Sequence, residues 1–76
     1  MRNPPNVAIA GVTGAVGQEF LTLLAERDFP IGQLKMLASA RSAGKTYDYR
    51  GKTYTVEELT EQSFDDVDIA LFSAGG

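Results

Sequence analysis

The sequence contains no cysteine and no histidine among its 76 residues. Disulfide bonds are therefore excluded within this stretch, as are nucleophilic thiolates and metal sites built from thiolate or imidazole ligands. Basic residues are also few: seven Lys and Arg stand against ten Asp and Glu, for a net charge of −3. Without a basic stripe the chain is poorly suited to neutralise a series of phosphates, which argues against a nucleic-acid partner.

Long apolar runs are absent as well. The longest are far shorter than the roughly 20 residues that a membrane-spanning helix needs. Residues 1–6 (Met-Arg-Asn-Pro-Pro-Asn) lack the apolar core of a signal peptide. We therefore expect a cytoplasmic protein without a membrane partner. The length allows one small domain or part of a larger one, since a chain of this size buries only about 60% of its unfolded surface.

What the sequence does contain is a strand, a glycine turn and a helix in direct succession. Residues 7–12 (Val-Ala-Ile-Ala-Gly-Val) are almost continuously apolar, which is typical of a strand buried on both faces of a parallel sheet. Gly11, Gly14 and Gly17 stand three residues apart. This spacing is a relative of the dinucleotide-binding pattern. The first glycine permits a tight turn, the second lets a diphosphate approach, and the third lets the helix pack on the strand.

The start of the helix supplies an anion site. Unpaired N–H groups and a partial positive charge at a helix N-terminus favour a phosphate. Thr13 has a hydroxyl that suits either of two tasks, capping the helix or binding a phosphate oxygen. A P-loop is excluded, because Gln18 and Glu19 stand where that motif requires Lys and Ser or Thr.

The helix is predicted from Ala15 to about Arg27, before Phe-Pro ends it. Its apolar residues recur at intervals of three and four, which predicts one buried face and one solvated face. The predicted stripe comprises Val16, Phe20, Leu23, Leu24 and Arg27, with Gly17, Leu21 and Leu24 along its edge. A second strand at residues 34–39 completes a right-handed βαβ unit with parallel strands.

The loop after this second strand decides which dinucleotide fits. An acid about 20 residues beyond the glycines would receive the ribose 2′-hydroxyl of NAD, whereas an arginine accommodates the 2′-phosphate of NADP. No acid lies between Asp28 and Asp48. The loop instead carries Ser39, Arg41 and Ser42, whose hydroxyls and planar guanidinium suit a phosphate. We therefore predict NADP as the cofactor; the alternative is a solvated surface loop.

The remainder of the chain completes the predicted fold. Residues 46–56 alternate around Arg-Gly-Lys and predict a hairpin, whose tyrosines we expect to pack together rather than stack on an adenine. Residues 57–61 are acidic and weakly helical, and residues 67–72 form a third parallel strand on the other side of the first. The residues expected at its carboxyl end, lining the cofactor channel, are Ser73, Ala74 and Gly75. The predicted class is α/β: a partial Rossmann-like parallel sheet made of a βαβ unit, a hairpin and a third parallel strand.

Four stretches are specific enough to compare with known families. They are residues 11–17 (Gly-Val-Thr-Gly-Ala-Val-Gly), 37–45 (Leu-Ala-Ser-Ala-Arg-Ser-Ala-Gly-Lys), 54–59 (Tyr-Thr-Val-Glu-Glu-Leu) and 67–76 (Val-Asp-Ile-Ala-Leu-Phe-Ser-Ala-Gly-Gly). Together they resemble the N-terminal part of bacterial-type aspartate-semialdehyde dehydrogenases. The resemblance covers essentially the whole chain, and the loop at residues 37–45 is its most distinctive part.

The resemblance implies a function for the complete protein. Members of the family reversibly convert L-aspartyl 4-phosphate and NADPH to aspartate 4-semialdehyde, NADP and phosphate, a step toward lysine, diaminopimelate, methionine and threonine. It also implies a homodimer, and it assigns the cofactor contacts. Those that would hold the diphosphate are Thr13, Gly14, Ala15 and Val16, and those that would hold the 2′-phosphate are Arg41 and Ser42, with Ser39 in the same pocket.

The family's cysteine nucleophile and histidine acid–base group have no counterpart in these residues. We therefore expect residues 1–76 to be the N-terminal part of an NAD(P)-binding Rossmann domain that holds no catalytic residue. The catalytic and dimerisation domain, and with it the site for the acyl-phosphate substrate, would lie outside this chain.

Three other interpretations stay open. N-acetyl-glutamyl-phosphate reductases resemble this family in fold and in acyl-phosphate chemistry, and extended short-chain dehydrogenases or sugar epimerases also open with three spaced glycines. The loop at residues 39–45 and the hairpin after it argue against both. The third interpretation is a non-catalytic dinucleotide-binding protein, which would keep the loop chemistry without turnover.

Overall fold

The computed structural model describes residues 3–73 of the chain. In chain order the elements are β1 (Val7–Ala10), α1 (Ala15–Glu26), β2 (Leu34–Ala38), β3 (Thr46–Tyr49), β4 (Lys52–Thr55), β5 (Glu57–Glu58), a 3₁₀ turn (Glu61–Phe64) and β6 (Ile69–Phe72). Four strands form one parallel sheet in the order β5-β2-β1-β6, and β3 pairs with β4 as a separate antiparallel hairpin. The predicted α/β class, with its βαβ unit, hairpin and further parallel strand, is confirmed.

One part of the predicted fold is wrong. Residues 57–58, expected to be weakly helical, form the parallel edge strand β5, in register with Leu37 and Ala38 of β2. The chain reaches this edge from the hairpin through Val56, whose N–H donates to the Lys45 carbonyl at 2.7 Å. A strand of two exposed glutamates carries no alternating apolar pattern, so backbone pairing and not side-chain burial determines its position.

The main core lies between one face of the sheet, α1 and the hairpin. Val7, Ile9 and Met36 are almost completely buried on this face, and Val12 and Tyr49 belong to the same cluster. Truncating side chains of this kind to alanine typically costs about 2–5 kcal/mol, so these residues fix the sheet that carries the site.

The opposite face of the sheet is covered in part by the 3₁₀ turn. The ammonium group of Lys35 donates to the Ser63 carbonyl at 2.9 Å, and the Phe64 ring lies 5.7 Å from the Phe72 ring. These contacts place the turn over β2 and β6. Phe72 remains 63% exposed, so its ring still presents apolar surface at the carboxyl end of β6.

The inward face of α1 agrees only in part with the apolar pattern, since Phe20 and Leu24 pack against the core as predicted but two other members of the stripe do not. Gly17 and Leu21 are buried, whereas Val16 and Leu23, predicted as part of the buried stripe, are 45% and 41% exposed. The reason is the close approach of helix and strand end: a Cβ on Gly17 would lie only 2.7 Å from the Val12 Cα. Because the helix packs on the end of β1 at Gly17, the middle of its buried face lies at Gly17 and Leu21.

Within residues 3–73 no helix has the length and apolar character needed to cross a membrane.

The end of α1 is a Schellman motif. Arg27 is the C-cap, and Asp28 follows with a left-handed backbone. The Asp28 N–H donates to the Ala25 carbonyl at 3.1 Å, and the Phe29 N–H donates to the Leu24 carbonyl at 3.0 Å. These two bonds satisfy carbonyls that a helix end leaves without partners.

Candidate dinucleotide-binding cleft

The turn between β1 and α1 is held in a shape that leaves its backbone accessible. Gly11 has a φ of +78°, a left-handed conformation that favours glycine. The N–H groups of Gly11 and Val12 both donate to the Leu37 carbonyl, at 2.9 and 3.1 Å, so the turn is tied to the end of β2. The Gly14 N–H donates back to the Gly11 carbonyl at 3.1 Å, which closes the turn just before the helix.

The helix begins without a side-chain cap. The capping role considered for Thr13 is wrong, because the N-cap is Gly14 and no side chain among residues 3–73 caps the first turn. Within residues 3–73, the N–H groups of Ala15, Val16 and Gly17 have no acceptor. The first turn also carries no acidic side chain. The positive end of α1 is therefore available to an anion.

Two of the three glycines are sterically required. A Cβ on Gly11 would lie 2.9 Å from the Ser73 Cβ, and one on Gly17 would lie 2.7 Å from the Val12 Cα. A Cβ on Gly14 would lie 3.4 Å from the Ser73 Oγ, close to ordinary contact. The helix-packing role predicted for Gly17 therefore has a direct geometric basis, and space is less restricted at Gly14.

A cleft of ≈460 Å³ opens at the carboxyl ends of β1, β2, β5 and β6. Four of the predicted site residues line it: Gly11, Thr13, Ser39 and Ser73. The Ser73 N–H donates to the Ala10 carbonyl at 2.9 Å, so the residue after β6 lies directly beside the glycine turn. This is the predicted location, where the chain crosses from one side of β1 to the other.

Arg41 and Ser42 lie on the loop after β2, next to the cleft but not in its lining. The loop is a compact turn in which the N–H groups of Ser42 and Ala43 donate to the Ser39 carbonyl at 2.9 and 3.1 Å. The Arg41 side chain is exposed, and its guanidinium makes no hydrogen bond or ion pair with the rest of residues 3–73. A guanidinium in this position can bind an external anion.

The lining also contains residues that the sequence does not predict. Glu58 and Leu59 reach the cleft because β5 pairs with β2, and the Leu59 N–H donates to the Ala38 carbonyl at 2.8 Å. Phe72 lines the other end. No periodic signal marks a two-residue strand, which is why Glu58 and Leu59 are missed. The predicted residues Ala74 and Gly75 lie outside the described residues.

The tyrosines of the hairpin pack together, away from the cleft, as predicted. The Tyr49 and Tyr54 rings meet edge to face at 6.3 Å, and the Lys52 ammonium lies 5.5 Å from the Tyr54 ring centroid. Burial raises the pKa of the Tyr49 hydroxyl, and the positive charge of nearby Arg50 opposes this shift. The hydroxyl is buried and has no hydrogen-bond partner among residues 3–73. Nowhere in residues 3–73 do three acidic side chains come close enough together to hold a metal ion.

Comparison with known proteins points to one family. The family model described as semialdehyde dehydrogenase, NAD binding domain, matches residues 6–76. The aspartate-semialdehyde dehydrogenase of Legionella pneumophila is 59% identical over 71 residues, which cover 93% of this chain and 20% of that protein. The aspartate-semialdehyde dehydrogenase of Aquifex aeolicus is 56% identical, over 92% of this chain and 21% of its own length.

Solved structures give the same result. The crystal structure of aspartate semialdehyde dehydrogenase II complexed with ASA from Vibrio cholerae superposes with a TM-score of 0.87 at 56% identity, over 95% of this chain and 24% of that one. A probable aspartate-semialdehyde dehydrogenase from Pseudomonas aeruginosa gives 0.86 at 41% identity, over 92% and 21%. The chain thus spans about a fifth of the length of the curated relatives it matches.

Proposed function

This chain belongs to the family of semialdehyde dehydrogenase NAD-binding domains, and on that premise we propose that it is the NADP-binding segment of an aspartate-semialdehyde dehydrogenase. The proposed reaction is the reversible conversion of L-aspartyl 4-phosphate and NADPH to L-aspartate 4-semialdehyde, NADP and phosphate, in lysine, diaminopimelate, methionine and threonine biosynthesis. Support for this substrate comes from the relatives that carry the enzyme's name at 56–59% identity. The same relatives favour it over an N-acetyl-glutamyl-phosphate reductase or a sugar epimerase.

The observation that carries the proposal is the open start of α1. Three N–H groups that have no acceptor within residues 3–73 stand at the positive end of a helix, beside a cleft and a left-handed glycine. These features fit a diphosphate, which needs donors, positive potential and close backbone approach. In the proposal the residues that hold it are Thr13, Gly14, Ala15 and Val16, with Gly11 shaping the turn. The proposal also assigns Ser73, Ala74 and Gly75 to the cofactor; of these, Ser73 lines the cleft. A bound dinucleotide would supply the hydride chemistry, and this chain would bind and orient it.

The preference for NADP over NAD rests on the loop after β2. Arg41 is exposed and unpaired within residues 3–73, and Ser39 and Ser42 place two hydroxyls in the same turn. A planar guanidinium binds a phosphate through two parallel hydrogen bonds, which a ribose hydroxyl cannot match. We assign the 2′-phosphate to these three residues.

The remaining chemistry belongs to other parts of the complete enzyme. These 76 residues contain neither cysteine nor histidine. In the proposal, residues 1–76 are the N-terminal part of the NAD(P)-binding Rossmann domain, and the catalytic and dimerisation domain lies outside them. That domain would supply the nucleophile, the acid–base group, the acyl-phosphate site and the homodimer contact.

Calorimetric titration of the native polypeptide that carries this sequence tests the proposal. We expect NADP to bind more tightly than NAD, and Arg41→Ala to weaken NADP by about 10- to 100-fold while leaving NAD unchanged, because charged hydrogen bonds are lost only from the 2′-phosphate. Arg27→Ala is the matched control, since it removes the same charge at the far end of α1. Tighter binding of NAD, or equal losses for both nucleotides, would overturn the assignment. Binding without turnover of aspartate semialdehyde would favour a non-catalytic dinucleotide-binding protein.

A further inference from the structure

Glu58 is a carboxylate in a cleft whose other features attract an anion. It lines the same cleft as Gly11 and Ser39, and within residues 3–73 its side chain has no hydrogen bond or ion pair. A carboxylate near phosphate groups repels them, and it is acceptor-only when ionised. The Glu58 carboxylate is compatible with such a cleft if the ligand itself offers a hydrogen-bond donor at this end.

The strand order indicates which part of a dinucleotide reaches Glu58. The glycine turn follows β1, the loop at residues 39–44 follows β2, and Glu58 stands at the end of β5, the next strand outward. Neighbouring strands lie about 4.8 Å apart, so the end of β5 is roughly 10 Å from the end of β1. In the adenosine half of a dinucleotide, the diphosphate, the ribose with its 2′-phosphate, and the adenine follow one another in the same order. The base therefore falls at the end of β5.

The surroundings of Glu58 suit a flat base. Leu59 is 41% exposed and lines the cleft beside Glu58, and Ala40 lines it from the loop after β2. Exposed apolar surface next to a hydrogen-bond acceptor matches a heteroaromatic ring that carries a donor on its edge. The 6-amino group of adenine is such a donor.

We propose that Glu58 selects adenine by accepting a hydrogen bond from the 6-amino group, while Leu59 packs against the ring. This inference rests on the proposed dinucleotide function. It makes Glu58 a specificity-determining residue for the base, separate from Arg41, which acts on the 2′-phosphate.

Calorimetric titration of the native polypeptide with NADP and with nicotinamide hypoxanthine dinucleotide phosphate tests the inference. The second compound carries a carbonyl oxygen in place of the amino group and a hydrogen on the neighbouring ring nitrogen N1, so at the 6-position it presents an acceptor to an acceptor. We expect the unmodified protein to prefer NADP by about tenfold or more. In Glu58→Gln the preference should fall below about threefold, because the amide can donate to the carbonyl oxygen.

Glu57→Gln is the matched control. It makes the same change one residue away, where the side chain points to the other face of the strand and lines a different groove. The control should keep the full preference for NADP. Equal affinity of the unmodified protein for the two compounds would overturn the inference, as would equal effects of the two substitutions. A change in the NADP to NAD ratio of Glu58→Gln, with the base preference intact, would instead assign Glu58 to the ribose and also overturn it.

The two proposals fail in distinguishable ways. If the nucleotide function is wrong, neither NADP nor NAD binds, or Arg41→Ala leaves their ratio unchanged. If only the base assignment is wrong, NADP binds in an Arg41-dependent manner and tolerates the hypoxanthine base. Thermal melting followed by circular dichroism checks that Glu58→Gln, an exposed and nearly isosteric change, leaves the fold intact.

Discussion

The carboxylate of Asp28 and the guanidinium of Arg50 form an ion pair between two residues whose backbones are both left-handed. Asp28 follows the C-cap of α1, and Arg50 precedes Gly51 in the turn of the hairpin. The hydrogen bond that the Arg50 guanidinium donates to the Asp28 carboxylate is the main reason that the pKa of Arg50 is raised. The pair joins the end of the helix to the tip of the hairpin at the protein surface, where both side chains are exposed.

Substitutions at Asp28 separate the backbone cost from the ion pair. Asp28→Gly should change the free energy of unfolding by less than about 1 kcal/mol, because relief of the left-handed backbone offsets the loss of an exposed pair. Asp28→Ala loses the pair while the backbone stays left-handed, so we expect it to be less stable than Asp28→Gly. Urea denaturation measures both. Equal losses would show that the backbone at this position carries no cost.

Gly17→Ala should destabilise the protein by about 2–3 kcal/mol, because the added methyl group overlaps the Val12 backbone that the helix packs on. Gly44→Ala is the comparison: a Cβ there meets no atom within 4 Å, but φ is +97°. Only the backbone cost of about 1–2 kcal/mol should appear at that position. Guanidinium denaturation compares the two. A loss at Gly17 smaller than the loss at Gly44 would contradict close helix packing.

Gly11→Ala should weaken both stability and NADP binding, because the new Cβ meets the Ser73 Cβ in the wall of the cleft. Adding Ser73→Gly removes that atom. We expect the double variant to recover about 1 kcal/mol relative to the sum of the single changes, with the remainder due to the left-handed backbone. A double-mutant cycle in urea measures the coupling. Strict additivity would mean that the two positions do not touch.

Tyr49 should make the protein sensitive to alkali. Its pKa is raised in the folded state by burial, so between the ordinary tyrosine value of about 10 and the raised value the unfolded chain releases a proton that the folded chain keeps. The unfolded state then binds fewer protons, and stability falls as the pH rises. Below about pH 10 this loss is absent.

Tyr49→Phe should reduce the alkaline loss of stability and should be neutral or stabilising by up to about 1 kcal/mol at pH 7, because the buried hydroxyl has no partner among residues 3–73. Tyr47→Phe, on the same strand, should keep the alkaline loss. Urea midpoints from pH 8 to pH 11 decide between them. Identical pH profiles for the unmodified protein and Tyr49→Phe would rule out Tyr49 as the source.

The sequence predicts those parts of the fold in which the pattern of apolar side chains and the backbone requirements for glycine indicate the same structure. The continuous apolar run of β1 can only be buried, and the glycines at positions 11 and 17 stand where a Cβ would collide with neighbouring atoms. The turn, the helix start and the parallel pairing follow from them. The assignment of Arg41 and its two serines to a 2′-phosphate stays a prediction, which rests on their chemistry and on the lack of an acid in that loop.

The parts that the sequence does not predict depend on tertiary packing. Periodicity places Val16 and Leu23 on an apolar stripe, but it cannot show that the helix approaches the sheet through a glycine and so turns those side chains outward. Glu58 is missed for a different reason. Its strand is two residues long, is held by backbone pairing with β2, and carries no apolar side chain.

The strand order β5-β2-β1-β6 also affects which parts of the sequence can evolve independently. Each strand ends in its own loop, so a substitution after β2 leaves the backbone of the glycine turn and the end of β5 in place. If residues 39–45 determine the nucleotide preference, as proposed above, a lineage can exchange one preference for another through a few replacements in that loop. The glycine turn, in contrast, leaves little room for drift, because two of its three glycines have no space for any other side chain.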